Sequence, residues 1–527
     1  MKKILKGFWN YIDGVYGLLL SLYASLAFGS QAVLIYDSFA DIARGIVLSI
    51  FFSFLFCPLL LKKLRTLELK APGEAGRKDR LLRWLFFLIP LAVMLIAFAA
   101  FYPGGFATDP VNQYGQAVSS QYGDWHPVIH TLLAYKLPLL LTGGWTGSVV
   151  LFQILWLSAA VGTVLCVILK YAGRKIAVFS LLLFVLNPQL SFMAMFPFKD
   201  MSFAACTLLL TAFSLEICFT KGEWLRKTPR LIAFILLLAL ATLLRHNGIL
   251  FTLPLLFAVF WFVGKKRTLI VGLGVLLLMG LVKLPLQKLL NVQKADQRQV
   301  EMLGVPMSVI GAVAANRPDA LDEETREFAF KVAPQEVWER GYIDGFNYVK
   351  WAPETDNDVI EEYGAVSVVK MMLKSIKASP VTALKGLIRV TCPVYSPFYY
   401  YHFKDVWVTD NAYGLTQTGL PALRNLEYQY SQLAGIVAPH LFYCLGAMHL
   451  LILAAVLAKC RFRKKEDLKK LCLALPLLIY NFGTALLMTG AEDACRFFFY
   501  TYFVTPLLLI LFFRKDAQES PIAKGDA

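Results

Sequence analysis

The stretch FYPGGFATDPVNQYGQAVSSQYGDWHPVIHTLL, beginning at Phe101, sets Asp109, Asp124, His126 and His130 in one short loop beside apolar runs. A carboxylate in that position can take a proton from an attacking hydroxyl or amine, or hold a divalent cation, once a substrate comes within hydrogen-bond distance. Asp109 is the candidate catalytic base. The same Thr-Asp-Pro also reads as a helix start, with the acid as cap and proline in the first turn. His126 and His130 are four apart and can share a helix face as metal ligands, but Pro127 only begins that helix and spacing fixes no third ligand. Substrate positioning is the reading for both histidines and for Asp124, and a divalent metal ion stays open as a cofactor.

Three further clusters carry cations: Lys199 with Asp200 in FPFKD, Arg245 with His246 and Asn247 in LLRHNG, and Arg496 with Glu492 and Asp493 in GAEDACRFFFY. Ionisable groups at membrane depth are costly and so mark function. The planar fork of an arginine suits a phosphate. Each cluster also has a structural reading: Lys199 neutralised by Asp200, Arg496 paired with Glu492 by helical spacing, Arg245 ending a short span. Arg245 splits what would otherwise be one over-long apolar run, and His246, Asn247 and Gly248 follow where a broken helix exposes backbone donors.

The elements that must position these groups are membrane spans. Of 527 residues, 57% are hydrophobic and 17% charged, against about 45–50% and about 25% in soluble domains. Runs of about 17–25 apolar residues read as transmembrane helices. Twelve are expected, near 12–36, 43–61, 84–103, 146–169, 176–196, 201–220, 231–244, 249–263, 268–287, 434–458, 471–489 and 497–513, with 231–244 and 249–263 short enough to be broken helices. The basic start is followed by a run too long, and too rich in Tyr and Asp13, for a cleaved signal peptide, so it is expected to remain as the first span.

The formal charge is +16, yet residues 288–433 hold 15 Lys or Arg against 18 Asp or Glu. The excess sits in short loops at 62–83, 170–175, 221–230, 265–267, 459–470 and 514–515, which an alternating path from a cytoplasmic N-terminus puts on one side. That pattern is topology and gives no footprint for nucleic acid. The same path puts 104–145, 197–200, 245–248, 288–433 and 490–496 on the other side, together with every candidate site residue. The expected fold is an all-α polytopic membrane protein with both termini cytoplasmic. It divides into two N-terminal spans and a basic loop (1–83), a membrane core (84–287) with its outer loop 104–145, an extracytoplasmic domain of mixed structure (288–433), and C-terminal spans with a tail (434–527). Within the domain, 366–389 reads as one amphipathic helix, and VYSPFYYYHF at 394–403 as an interfacial aromatic belt.

The segments ATDPVNQYGQA, DWHPVIHTLL, FPFKDMSFA, LLRHNGIL and CRFFFYTYF, in this order and on a common side, resemble the GT-C superfamily of membrane glycosyltransferases, and within it a bacterial multi-pass group of unassigned activity. The resemblance covers the chain from about residue 84 onward. It implies transfer of a sugar from a polyprenyl-phosphate donor to a cell-envelope glycan, lipid or protein at the outer face of the plasma membrane. Asp109 would then be the base, and Arg245, with Lys199 and Arg496, would hold the departing phosphate. Many relatives carry a second acid close to the first, whereas here the next, Asp124, lies fifteen positions on, beside Trp125 and His126. The alternative is a transporter or flippase of a lipid-linked saccharide, which would also need broken helices and intramembrane cations but favours internal repeats, and none is seen.

Overall fold

In the computed structural model the described residues are 7, 10–11, 13–72, 76–294, 298–342, 345–400 and 405–515. The basic start at 1–3, residues 401–403 of the aromatic run and the tail beyond 515 lie outside them. Among the described residues the chain is helical, with isolated bridges and no strand. Six helices are long and apolar enough to cross a bilayer: Gly14–Ile35, Phe39–Thr66, Lys78–Phe101, Gly147–Ala172, Lys199–Phe219 and His246–Leu289. Two bent pairs, Arg174–Val185 with Pro188–Met195 at 54° and Ala491–Phe497 with Thr501–Phe513 at 60°, bring the number to eight if each is one span. Large aliphatic and aromatic side chains on these helices face outward, with Phe257, Leu276 and Leu277 64, 65 and 62% exposed. Hydrocarbon tolerates such a surface and water does not. The protein is embedded in a membrane.

The difference from twelve has physical causes. Thr228–Leu244 and Leu445–Lys459 are only 17 and 15 residues long, and Lys465–Ala485 opens on charged residues. His246–Leu289 turns through Gly264, whose φ of 75° is non-helical. That kink falls where Lys265, Lys266 and Arg267 suggested a break between two spans.

The first two helices form a hairpin that packs on Leu445–Lys459. The Gly147–Ala172 helix is central and touches both Arg77–Phe101 and Lys199–Phe219. The basic loops meet at one end: Lys459 Nζ donates to the Arg65 carbonyl at 2.8 Å, Leu69 pairs with Arg514, and Arg174 binds Asp79 at 2.9 Å. At the other end stands a unit with its own core, in which Met307, Phe328, Trp338, Phe346 and Ile360 are fully buried. In place of the mixed structure expected for 288–433, the described residues form helices, isolated bridges and an irregular stretch before Pro421, with no strand. The helix expected over 366–389 is two, Asp358–Ala378 and Pro380–Thr391, because Ser379, ahead of a proline, leaves helical geometry at φ −139° and ψ 75°.

What positions the site is a set of repaired helix breaks. Asn187 caps Pro188–Met195 by accepting from Gln189 N–H. The chain then turns through 196–198 into the helix that begins at Lys199, leaving carbonyls with no helical partner. Buried Gln153 donates to the carbonyls of Met193, Ala194 and Phe196 at 3.3, 2.8 and 2.7 Å, and Tyr135 donates to that of Pro197 at 2.6 Å. The loop before Asp109 presses on the same turn: Gly105 N–H donates to the Met195 carbonyl at 2.8 Å, and a Cβ on Gly105 would lie 2.5 Å from the Phe196 ring.

Gln153→Leu would take away the side-chain donor to the Ala194 carbonyl, while those of Met193 and Phe196 keep backbone donors, at about 1–3 kcal/mol for a buried group left unsatisfied. The expected result is a clearly lower melting temperature in detergent with helix content retained by circular dichroism; an unchanged melting temperature would show that the turn is held by other contacts.

Candidate functional site

At the end remote from the basic loops lies a cavity of about 440 Å³, within the usual size of small-molecule sites. Its lining includes Asp109, Asp124, Lys199, Arg245, His246, Asn247 and Arg496, seven of the ten residues that their positions at the ends of apolar runs picked out. His126, His130 and Asp200 stand behind its wall. Sequence reading missed Glu301, Asn347, Lys350, Trp351 and Thr489, which also line it, as does Asp493 beside Arg496. Only their folding into one place marks them.

Asp109 is the second residue of the helix Thr108–Ser119, whose N-cap is Ala107 and carries no side-chain cap. The capping reading therefore gives way to ion pairing. The Asp109 carboxylate accepts from Arg496 Nη1 at 3.0 Å and lies 3.6 Å from Lys199 Nζ and 4.0 Å from His126 Nε2. Lys199 in turn donates to His126 Nδ1 at 3.1 Å. Lys199 does not neutralise its neighbour Asp200. Asp200, fully enclosed, pairs with Arg245, the extended residue that ends Thr228–Leu244. Arg245 also donates through Nε to Asn247 at 3.1 Å and stacks over Phe497 at 4.4 Å. Arg496 takes Asp493 as its helical partner at 2.9 Å, while Glu492 accepts from Asn347 at 2.7 Å.

Burial by itself would raise the Asp109 carboxyl, but Lys199 and Arg496, with His126, outweigh it and hold the group well below the ordinary carboxylate range. Burial, reinforced by Lys199, pushes His126 down from 6.5 to about 3, so the ring is neutral at pH 7. A neutral ring that accepts from Lys199 at Nδ1 carries its proton on Nε2, the nitrogen facing Asp109.

His126 and His130 do not form a metal pair. His130 meets Gln113 Nε2 at 2.9 Å through Nδ1, while His126 turns to Lys199. Among the described residues no three His, Cys, Asp or Glu side chains group as ligands for a metal ion. The Asp109 carboxylate is already claimed by two cations, so these residues do not fit a resident divalent ion, and no step below is routed through one. The lining holds four acids, Asp109, Asp124, Glu301 and Asp493, against four bases, Lys199, Arg245, Lys350 and Arg496. Such a site can take an anion by letting it compete with a carboxylate for its cations.

Residues 80–332 match DUF6020, described as a family of unknown function. No curated protein and no solved structure matches the chain.

Two expectations follow. Asp200→Asn leaves Arg245 buried beside a neutral amide and should destabilise by about 3–5 kcal/mol, whereas Asp200→Leu with Arg245→Met should recover much of the loss; melting temperatures of both variants test this. His126, depressed from 6.5 to about 3 on folding, contributes stability that is present above pH 6.5 and lost as pH falls towards 3. Wild type should therefore lose up to about 1.4 kcal/mol per pH unit below that point, and His126→Gln should flatten the dependence of melting temperature on pH between 7 and 5. An unchanged slope would show that His126 is solvated.

Proposed function

We propose that the chain is an inverting glycosyltransferase of the GT-C type, moving a sugar from a polyprenyl-phosphate donor to a cell-envelope acceptor on the outer face of the bacterial plasma membrane. The observation that carries this reading is the convergence of Asp109, Lys199, Arg245 and Arg496, far apart in sequence, on one cavity. In this reading the chain crosses twelve times: the kinked His246–Leu289 counts as two passages, each bent pair as one, and Thr228–Leu244, Leu445–Lys459 and Lys465–Ala485 as short or charged-ended passages. Both termini and the basic loops are then cytoplasmic, and the cavity opens outside.

The geometry poses a problem that the mechanism must solve: a carboxylate gripped by Arg496 and Lys199 is a poor base. The donor supplies the remedy. Its phosphate diester offers two non-bridging oxygens to the guanidinium fork and the ammonium and competes with the carboxylate for both. As Arg496 and Lys199 turn to the phosphate, Asp109 loses the charges that depress it and becomes a better proton acceptor. The acceptor hydroxyl then attacks the anomeric carbon from the face opposite the phosphate, with inversion. The new C–O bond forms as the bond to the phosphate oxygen breaks, the hydroxyl proton passes to Asp109, and the phosphate leaves with the extra charge. Lys199, Arg496 and Arg245 stabilise that charge where it develops. His126 stays neutral and holds Lys199 beside the carboxylate only in the resting site.

Transfer of radiolabelled sugar from a panel of polyprenyl-phosphate donors, by purified protein in lipid, tests this. Wild type should turn over with at least one donor, Asp109→Asn should fall by about 100-fold or more, and Arg496→Lys, which keeps charge but loses the fork, should be impaired. Full turnover by Asp109→Asn overturns the mechanism. No transfer by wild type, with donor movement between leaflets of the same vesicles, replaces the reading with a flippase.

A further inference from the structure

The outer rim of the cavity differs in chemistry from its cationic floor. Two tryptophans meet there from segments distant in sequence: Trp125, on the loop ahead of His126, and Trp351, in the outer unit, with ring centroids 6.3 Å apart at 65°. Both line the cavity. Trp351 is 64% exposed, while Trp338 of the same unit is fully buried and donates its indole N–H to the Ala329 carbonyl at 2.9 Å. The unit thus packs one indole into its core in the ordinary way and leaves another open at the cavity mouth, where a large exposed ring contributes nothing to the core.

The polar groups beside the rings are held in place. Lys350, only 5% exposed, donates to Glu301 at 2.7 Å, and its ammonium lies 4.7 Å from the Trp351 ring centre. The Glu301 side chain remains 40% exposed with acceptor capacity beyond that bond. Asp124 joins it on the lining, and its backbone N–H is fixed by the Gln293 carbonyl at 2.9 Å. Flat apolar ring faces next to carboxylate acceptors match the chemistry of a pyranose, which has one face of C–H bonds and an edge of hydroxyl donors. A lipid chain would not use the acids, and a phosphate would be repelled by them.

We propose that this rim is a carbohydrate-binding subsite, in which a pyranose ring stacks on the exposed face of Trp351 with Trp125 at its side and donates hydroxyls to Asp124 and Glu301. The bound saccharide is the acceptor glycan, an assignment that rests on the transfer reading, while saccharide binding itself does not. With the floor taking the phosphate and the rim taking the acceptor, the attacking hydroxyl enters between them, beside Asp109.

The test is binding of free di- to tetrasaccharides of glucose, galactose, mannose and N-acetylglucosamine to the full chain in nanodiscs, by calorimetry and saturation-transfer NMR. At least one should bind wild type, with the strongest transfer on the C–H face. Trp351→Ala should weaken it about tenfold, with Trp351→Phe recovering part of the loss, and Trp125→Ala should behave similarly if its melting temperature is retained. Equal binding by wild type and the folded tryptophan variants overturns the subsite, as does no binding of any saccharide in the panel. Binding without transfer from any donor would leave the subsite standing and remove the transferase reading.

Discussion

Charge at the edge of a low-dielectric bundle is the constraint on which the site depends. An ion pair withdrawn from water recovers its desolvation cost only when both members are held at close range with their remaining hydrogen bonds met. Asp200 and Arg245 meet the first condition, with a fully buried carboxylate against a guanidinium stacked on Phe497, while the second Asp200 oxygen is buried with no hydrogen-bond partner among the described residues. Asp109, Arg496 and Lys199 do so through a shared carboxylate with His126 behind it. Each pair joins segments remote in sequence, so each fastens one helix break to another. The breaks are tolerable because Gln153 and Tyr135 take up the carbonyls the helices give up.

A free excess of cations would be expensive in an empty site, and a cation already paired with a carboxylate is cheaper to keep. In the transfer proposed above, the incoming phosphate takes the cations over from Asp109, so that the carboxylate that is their counter-ion in the resting site becomes the proton acceptor of the loaded one. In the same way the neutral His126 contributes no charge to an already crowded cluster, yet fixes Lys199 by accepting from it.

How much of this was legible in the sequence follows from the same physics. Lys199, Arg245 and Arg496 stood out because each ends an apolar run, where a charge without purpose would be costly. Which acid each would pair with did not. Lys199 and Asp200 are adjacent, but consecutive residues on a helix point about 100° apart, so one faces Asp109 and the other Arg245. The proline at 380 would have divided the helix expected over 366–389, since the residue before a proline avoids helical geometry. Glu301, Lys350 and Trp351 carry no local signal at all. They reach the cavity through the tertiary fold of the outer unit, which no periodicity specifies.

The outer unit is more than a cover, because the strip of chain on which it sits is the strip that carries Arg496. Gly345 bridges to Gly490, Asn347 N–H donates to the Thr489 carbonyl at 3.0 Å, and the Asn347 side chain joins Thr489 and Glu492. Gly304 packs so tightly on the Met488 carbonyl that a Cβ there would overlap it. Residues 488–492 are thereby pinned by the outer unit, ending four positions before the arginine whose guanidinium grips Asp109. The hydrophobic core around Trp338 holds the unit together, the polar seam fixes 488–492, and that segment sets where Arg496 can reach. The outer unit therefore bears on the bend between Ala491–Phe497 and Thr501–Phe513, and through it on the distance between the Asp109 carboxylate and Arg496.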